Sequence, residues 1–81
     1  MSIRILFFAT VADVTGMRQA ELDVPAGSDV ASIYDRLARD FPRLIAMRSS
    51  VLCAVNSEFA RSDAPVRDGD EVAFFPPVSG G

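Results

Sequence analysis

The chain has 81 residues, of which 49% are hydrophobic and 23% are charged, and its formal net charge is −3. This length predicts a single domain with one core, and the balance of apolar and charged residues is typical of a globular protein rather than a disordered one. The acidic balance argues against sequence-independent binding to nucleic acid or to an anionic membrane. Both require clustered cations, whereas the eight basic residues of this chain are scattered arginines.

Several residue types that support common functions are absent or rare. The chain has no histidine, which excludes a Ser-His-Asp or Cys-His catalytic group, and it has no lysine. Cys53 is the single cysteine, so an intramolecular disulfide is impossible. The apolar runs are too short to span a membrane and the N-terminus does not resemble a secretory signal, so we expect a cytoplasmic protein without internal repeats or interdomain linkers.

The first predicted element is a strand at residues 3–9, which are rich in branched and aromatic side chains. Side chains alternate between the two faces of a strand, and Arg4 indicates that its face meets solvent. Leu6 and Phe8 share that face with Arg4. We therefore expect two large apolar side chains to lie on an exposed face of the sheet.

A polar connection at residues 10–16 and a half-buried second strand at residues 19–24 precede the main helix. Apolar residues at helical spacing predict this helix over residues 30–41, with Ser28 or Asp29 as its N-terminal cap. The stripe that should face the core comprises Val30, Ile33, Tyr34, Leu37, Ala38 and Phe41.

Pro42 ends the helix, because proline disfavours helical geometry at the residue before it. The elements predicted beyond it are, in order, a helical turn around residues 44–47, a loop at 49–50, a strand at 51–55, a turn at 56–57, a short strand at 58–60 and a last strand at 71–75. In the last strand Val72 and Phe74 should face the core, and Phe75 should lie on the opposite side.

This order predicts an α+β fold of the β-grasp, ubiquitin-like class. We expect a mixed sheet of four to five strands whose first and last strands lie side by side at the centre. One main amphipathic helix should cover one face of the sheet and leave the other face open. The predicted domain covers residues 1–75, and residues 76–81 form an extended tail.

Few side chains of this sequence are candidates for catalysis or for binding a metal or a phosphate. Cys53 lies within an apolar strand, where a thiol is usually inert. Asp68, Asp70 and Glu71 flank Gly69 and favour a turn over a metal site, because their spacing matches no calcium loop. No phosphate-binding loop is recognisable, so we expect no bound cofactor and no metal. The remaining reactive group is the α-carboxylate of Gly81.

The C-terminal tail is built to extend. Pro76 and Pro77 donate no backbone N–H and direct the chain out of the sheet. The four residues after them, which are Val78, Ser79, Gly80 and Gly81, end in two glycines without side-chain bulk. Fully extended, the segment from Pro76 onward reaches roughly 20 Å, which is far enough to enter the active site of another protein. The simpler interpretation is a frayed terminus.

Residues 68–81 resemble the C-terminal signature of the small subunit of molybdopterin synthase, the MoaD family of β-grasp sulfur carriers. The resemblance extends more weakly to residues 3–9 and 54–56, and the predicted strand order and the length agree along the whole chain. Residues 17–50 resemble the family only in pattern.

The resemblance implies a carrier subunit without catalytic side chains of its own. A ubiquitin-activating-like adenylyltransferase would consume ATP to adenylate Gly81, and a sulfur donor would convert the adenylate to a thiocarboxylate. The tail, with Pro76, Pro77, Val78, Ser79 and Gly80, would then insert into the large synthase subunit. There it would donate sulfur to cyclic pyranopterin monophosphate, and two such deliveries would build the dithiolene of molybdopterin.

The resemblance also implies how the subunits associate. The large subunit would grip an apolar patch that falls on Phe8, Phe59 and Phe75, within a heterotetramer. Two other functions share the fold and the Gly-Gly end: a sulfur carrier for thiamin or tRNA thiolation, and a ubiquitin-like modifier that is joined to target lysines. The Pro-Pro-Val-Ser segment before the glycines favours the synthase.

Overall fold

The computed structural model describes residues 1–77, and Val78, Ser79, Gly80 and Gly81 lie outside the described residues. Within residues 1–77 no helix has the length and apolar character needed to cross a bilayer. The elements are β1 (Ser2–Phe7), α1 (Ala9–Thr15), β2 (Gln19–Asp23), α2 (Val30–Asp40), α3 (Arg43–Met47), a 3₁₀ turn (Arg48–Ser50), β3 (Leu52–Val55), β4 (Glu58–Ala60) and β5 (Glu71–Phe75).

In the described part of the chain, the sheet has five strands in the order β2-β1-β5-β3-β4. β1 and β5 are parallel neighbours at its centre, with Ile5 opposite Val72. The other neighbouring strands are antiparallel. The mixed sheet and the central pairing of the first and last strands are therefore confirmed.

The core lies between this sheet and α2. β1 and β5 contribute alternate side chains to it, and Phe74 on β5 packs edge-on against Tyr34 of α2, with ring centroids 5.4 Å apart. The hydroxyl of Tyr34 donates to the Leu44 carbonyl at 2.6 Å, which fastens α3 to α2. The largest fully buried side chains are Phe74, Ile3, Ile5, Ile33, Leu44, Val11 and Val72.

The main helix begins at the predicted residue and ends one residue earlier than predicted. Asp29 accepts from the Ser32 N–H at 2.8 Å, while the Ser32 hydroxyl accepts from the Asp29 N–H at 3.0 Å. This reciprocal pair satisfies N–H groups that the first turn leaves free. α2 ends at Asp40, and Phe41 lies between it and Pro42.

The prediction of a polar connection at residues 10–16 is wrong, because this segment forms α1. β1 stops at Phe7, and the chain turns at Ala9, whose φ is 52°. Val11 and Thr15 are one helical turn apart and both are buried. Gly16, with φ of 71°, closes the helix by donating its N–H to the Ala12 carbonyl at 2.8 Å.

The other differences are small. The first strand, predicted at residues 3–9, spans Ser2–Phe7, because the chain enters α1 at Ala9. The strands predicted at residues 19–24 and 51–55 are each one residue shorter in the structure. The helical turn predicted around residues 44–47 is confirmed as the short helix α3, whereas a 3₁₀ turn replaces the loop predicted at residues 49–50. The ends of elements depend on local hydrogen bonds that side-chain alternation does not specify.

Candidate functional site

The sheet face away from α2 is the candidate site. Residues directly opposite each other on paired strands lie on the same face, and the register aligns Leu6 with Ala73 and Leu52 with Phe75. These residues alternate with the core residues of their strands. The large apolar side chains of this face, called here the open-face patch, are Leu6, Phe8, Leu52, Phe59 and Phe75.

The open-face patch is poorly covered by the chain itself. Phe59 is 82% exposed, Phe8 48% and Leu52 41%. The ring of Phe59 lies edge-on to that of Phe75, with centroids 5.7 Å apart and an interplanar angle of 63°. Grouped exposed aromatic side chains are typical of a surface that another molecule covers.

An open groove of about 650 Å³ runs over this face to the start of the tail. Leu6 and Phe8 line it from the β1 side and Phe75 from β5, and Pro76 and Pro77 line it where the chain leaves the sheet. The groove is also lined by Ala9, Ser57, Glu71 and Ala73. The tail therefore begins at the apolar end of the groove.

The opposite end of the face is charged. Arg4 lies next to Glu71 on β5, with 3.7 Å between its Nη1 and Oε2 of the carboxylate, and Arg4 is aligned with Glu21 on β2. All three side chains are at least partly exposed, so the ion pair adds little stability. It marks the limit of the apolar surface on the side away from the tail.

The three aromatic residues predicted at the site lie near one another. Phe8 and Phe75 line the same groove, and Phe59 contacts Phe75. Pro76 and Pro77 adjoin them. The other predicted site residues, Val78, Ser79, Gly80 and Gly81, lie outside the described residues.

Leu52 is a member of the patch that the sequence analysis missed. The predicted strand at residues 51–55 is apolar on both faces, so polarity gave no indication of which side chains are exposed. The alternation of side chains along the strand indicates which face Leu52 occupies. Leu52 lies opposite Phe75 and must share its face.

Cys53 lies on the core side of β3 and is not part of this face. Its thiol donates to the Ala60 carbonyl at 3.0 Å, and burial raises its pKa. Both features keep the thiol protonated, whereas a reactive cysteine requires the thiolate. The geometry is that of a structural residue.

The carboxylates around Gly69 are engaged in a turn. Asp68 accepts from the Ser2 N–H at 2.7 Å, and Asp70 accepts from the Arg67 N–H at 2.8 Å. The Arg67 N–H and the side-chain amide of Asn56 lower the pKa of Asp70. These bonds fix the chain immediately before β5.

Comparison with known proteins assigns the chain to a family. The sequence model of the ThiS family matches residues 5–81. The chain belongs to the ThiS family. Two curated relatives, both named molybdopterin synthase sulfur carrier subunit, support the resemblance found in the tail. The protein from Escherichia coli is 40% identical, covering 98% of this ThiS-family chain and 99% of its own length. The protein from Arabidopsis thaliana is 38% identical, and the match covers 100% of this chain and 84% of the length of that protein.

A solved structure supports the fold of this ThiS-family chain. The crystal structure of small archaeal modifier protein 1 from Haloferax volcanii is similar with a TM-score of 0.82 and 28% identity. The match covers 95% of this chain and 98% of that chain. The predicted β-grasp, ubiquitin-like fold is confirmed.

Proposed function

We propose that this chain is the sulfur carrier subunit of a molybdopterin synthase, with the Gly81 carboxylate as the group that carries sulfur. The observation that best supports the proposal is the continuity of the open-face patch with Pro76 and Pro77. A partner seated on the patch would receive the tail directly. The names of the Escherichia coli and Arabidopsis thaliana relatives favour this function among those that share the fold.

The chemistry begins with activation, because a carboxylate is a poor acyl donor. Attack of the Gly81 carboxylate on the α-phosphorus of ATP forms an acyl-adenylate and releases pyrophosphate. A hydrosulfide equivalent then adds to the acyl carbon and displaces AMP, which leaves a thiocarboxylate. An adenylyltransferase supplies the site for these steps, and an end without side chains gives it unhindered access.

The second half of the proposal is sulfur transfer. The large subunit binds the open-face patch and takes the tail into its active site, where the thiocarboxylate sulfur forms a C–S bond with a side-chain carbon of cyclic pyranopterin monophosphate and displaces an oxygen leaving group from that carbon. Water then cleaves the acyl–sulfur bond of the resulting thioester, which leaves the sulfur on the pterin and regenerates the Gly81 carboxylate. Two such deliveries complete the dithiolene. Catalytic side chains belong to the large subunit, since the carrier has no histidine and its cysteine is buried.

The folded domain contributes affinity and placement. Burying exposed apolar surface stabilises a complex by about 25 cal/mol per Å², before the costs of association. Aromatic side chains at the centre of an interface usually dominate that gain, so Phe75 and Phe59 are the expected anchors. Pro76 and Pro77 limit the conformations of the emerging chain, which lowers the entropy lost when the tail is inserted.

Intact-mass spectrometry tests the loading step. The protein is incubated with ATP, its activating enzyme and a sulfur source, and the expected product has one terminal oxygen replaced by sulfur. The matched control lacks Gly81 and should remain unmodified while its thermal unfolding is nearly unchanged. A carboxylate that stays intact in the wild-type chain would refute the carrier function.

A ubiquitin-like modifier is the second candidate, favoured by the similarity to the Haloferax volcanii protein, whose name describes a modifier. Both functions begin with adenylation, but a modifier ends in an isopeptide bond to a lysine of another protein. This chain has no lysine and therefore forms no lysine-linked chains of itself. Conjugates detected after incubation with the activating enzyme and lysine-containing proteins would favour this candidate.

A further inference from the structure

The β3–β4 hairpin carries Phe59, the most exposed member of the open-face patch. Its outer strand, β4, has three residues and pairs with β3 at the edge of the described sheet. Phe59 is 82% exposed, so burial contributes little to holding its ring in place. A strand this short is weakly held by its own hydrogen bonds. β3 is paired with β5 over Leu52–Val55, so the remaining freedom of Phe59 depends on how the turn end of the hairpin is held.

Asn56, at the hairpin turn, anchors it to the start of β5. Its backbone N–H donates to the Glu71 carbonyl at 2.8 Å, and its Oδ1 accepts from the Glu71 N–H at 3.0 Å. Its Nδ2 donates to Oδ1 of Asp70 at 3.0 Å. Asp70 is held in turn by the Arg67 N–H at 2.8 Å. One side chain thus links the hairpin to two consecutive residues of the neighbouring segment.

The turn requires an unusual backbone at this position. φ is 51° at Asn56 and 71° at Ser57, which is the left-handed geometry of a two-residue hairpin loop. Asparagine tolerates this geometry better than most residues. The side chain of Asn56 is therefore free to bond across the sheet without adding strain to the turn.

We propose that Asn56 is a positioning residue for docking: by fastening the hairpin to β5, it holds Phe59 against Phe75 and completes the surface that receives the large subunit. The inference rests on the proposed function of the open face. It adds a residue outside the apolar patch that controls the patch's shape. Truncation of Asn56 should therefore reduce affinity without removing any contact to the partner.

The variant that isolates this role is Asn56→Gly. Glycine tolerates a positive φ and keeps the N–H that donates to Glu71, so the change removes only the two side-chain hydrogen bonds. Ser57→Gly is the matched control for the geometry of the turn, because it leaves both bonds in place. Since Ser57 itself lines the groove, the control for binding is Asp68→Ala, which removes a side-chain hydrogen bond to the Ser2 N–H and lies outside the groove. We expect Asn56→Gly to weaken binding of the large subunit about tenfold and Asp68→Ala to change it less than about twofold.

A double-mutant cycle with Phe59→Ala separates positioning from general destabilisation. If Asn56 acts through Phe59, then Asn56→Gly should cost affinity in the wild-type chain and almost none once Phe59 is truncated. An equal loss in both backgrounds would overturn the proposal, as would unchanged affinity in Asn56→Gly.

Nuclear Overhauser contacts between the rings of Phe59 and Phe75 give a readout that needs no partner. They should weaken in Asn56→Gly and persist in Ser57→Gly, while the amide shifts of α2 stay unchanged. Ring contacts that persist in Asn56→Gly refute the positioning role. If the wild-type chain does not bind the large subunit, the proposed function fails, and the ring contacts alone decide the role of Asn56.

Discussion

Phe74 and Phe75 are adjacent in the sequence, yet they lie on opposite faces of β5 and should respond differently to truncation. Phe74 is 2% exposed and packs against Tyr34, so Phe74→Ala leaves a cavity and should cost about 3 to 5 kcal/mol of unfolding free energy. Phe75 borders an open groove. Phe75 is partly buried, so Phe75→Ala loses some burial of the ring together with the edge-on contact with Phe59, which adds about 0.5 to 1.5 kcal/mol beyond that burial. Because the site is open to solvent and leaves no enclosed cavity, the total cost should stay below that of Phe74→Ala.

For binding of the large subunit, we expect Phe75→Ala to have the larger effect and Phe74→Ala the smaller one. Truncation of a central aromatic anchor costs at least about 2 kcal/mol of binding free energy, which is roughly a 30-fold loss of affinity. Urea denaturation of the free chain measures the stability effect, and titration calorimetry with the large subunit measures affinity. A stability loss in Phe75→Ala as large as that in Phe74→Ala would place Phe75 in the core. Unchanged affinity would remove Phe75 from the interface.

Three further changes test the fold around the site. Tyr34→Phe leaves the buried Leu44 carbonyl without its 2.6 Å partner and should lower the unfolding free energy by about 1 to 3 kcal/mol in urea denaturation; no change would contradict the role given to this bond. Ser57→Gly removes the backbone strain of a side-chain-bearing residue at a left-handed φ and should raise the midpoint of thermal unfolding, whereas Ser57→Ala keeps the strain and should not. Asp70 has a folded-state pKa below its usual 3.8, so its stabilising effect is present above that pH and is lost as the pH falls through the folded value. The stability difference between the wild type and Asp70→Asn should therefore shrink below about pH 3.8, and a difference that is constant with pH would show that the charge is not involved.

The sequence predicted the parts of the fold that depend on periodicity. Alternation along β1 placed Leu6 and Phe8 on the open face, and the apolar stripe of residues 30–41 identified the main helix. These patterns are local and strong, because one face of each element is buried. The tail motif likewise identified the family without any structural information.

The features that the sequence did not predict depend on contacts between distant segments. α1 is too short for its periodicity to stand out, and the burial of Val11 and Thr15 becomes visible only once the sheet is assembled. Leu52 is exposed because the helix covers the other face of β3. Asn56 resembles an ordinary turn residue until β5, fifteen positions away at Glu71, is seen beside it.

Transfer of sulfur by the loaded carrier to a pterin substrate is the decisive experiment for the proposed function. The thiocarboxylate form is mixed with the large subunit and cyclic pyranopterin monophosphate, and both the carrier mass and the pterin product are followed. Molybdopterin should appear as the carrier returns to the carboxylate at Gly81. A carrier that loads sulfur and binds the large subunit, but keeps its sulfur while no molybdopterin forms, would contradict the proposed function.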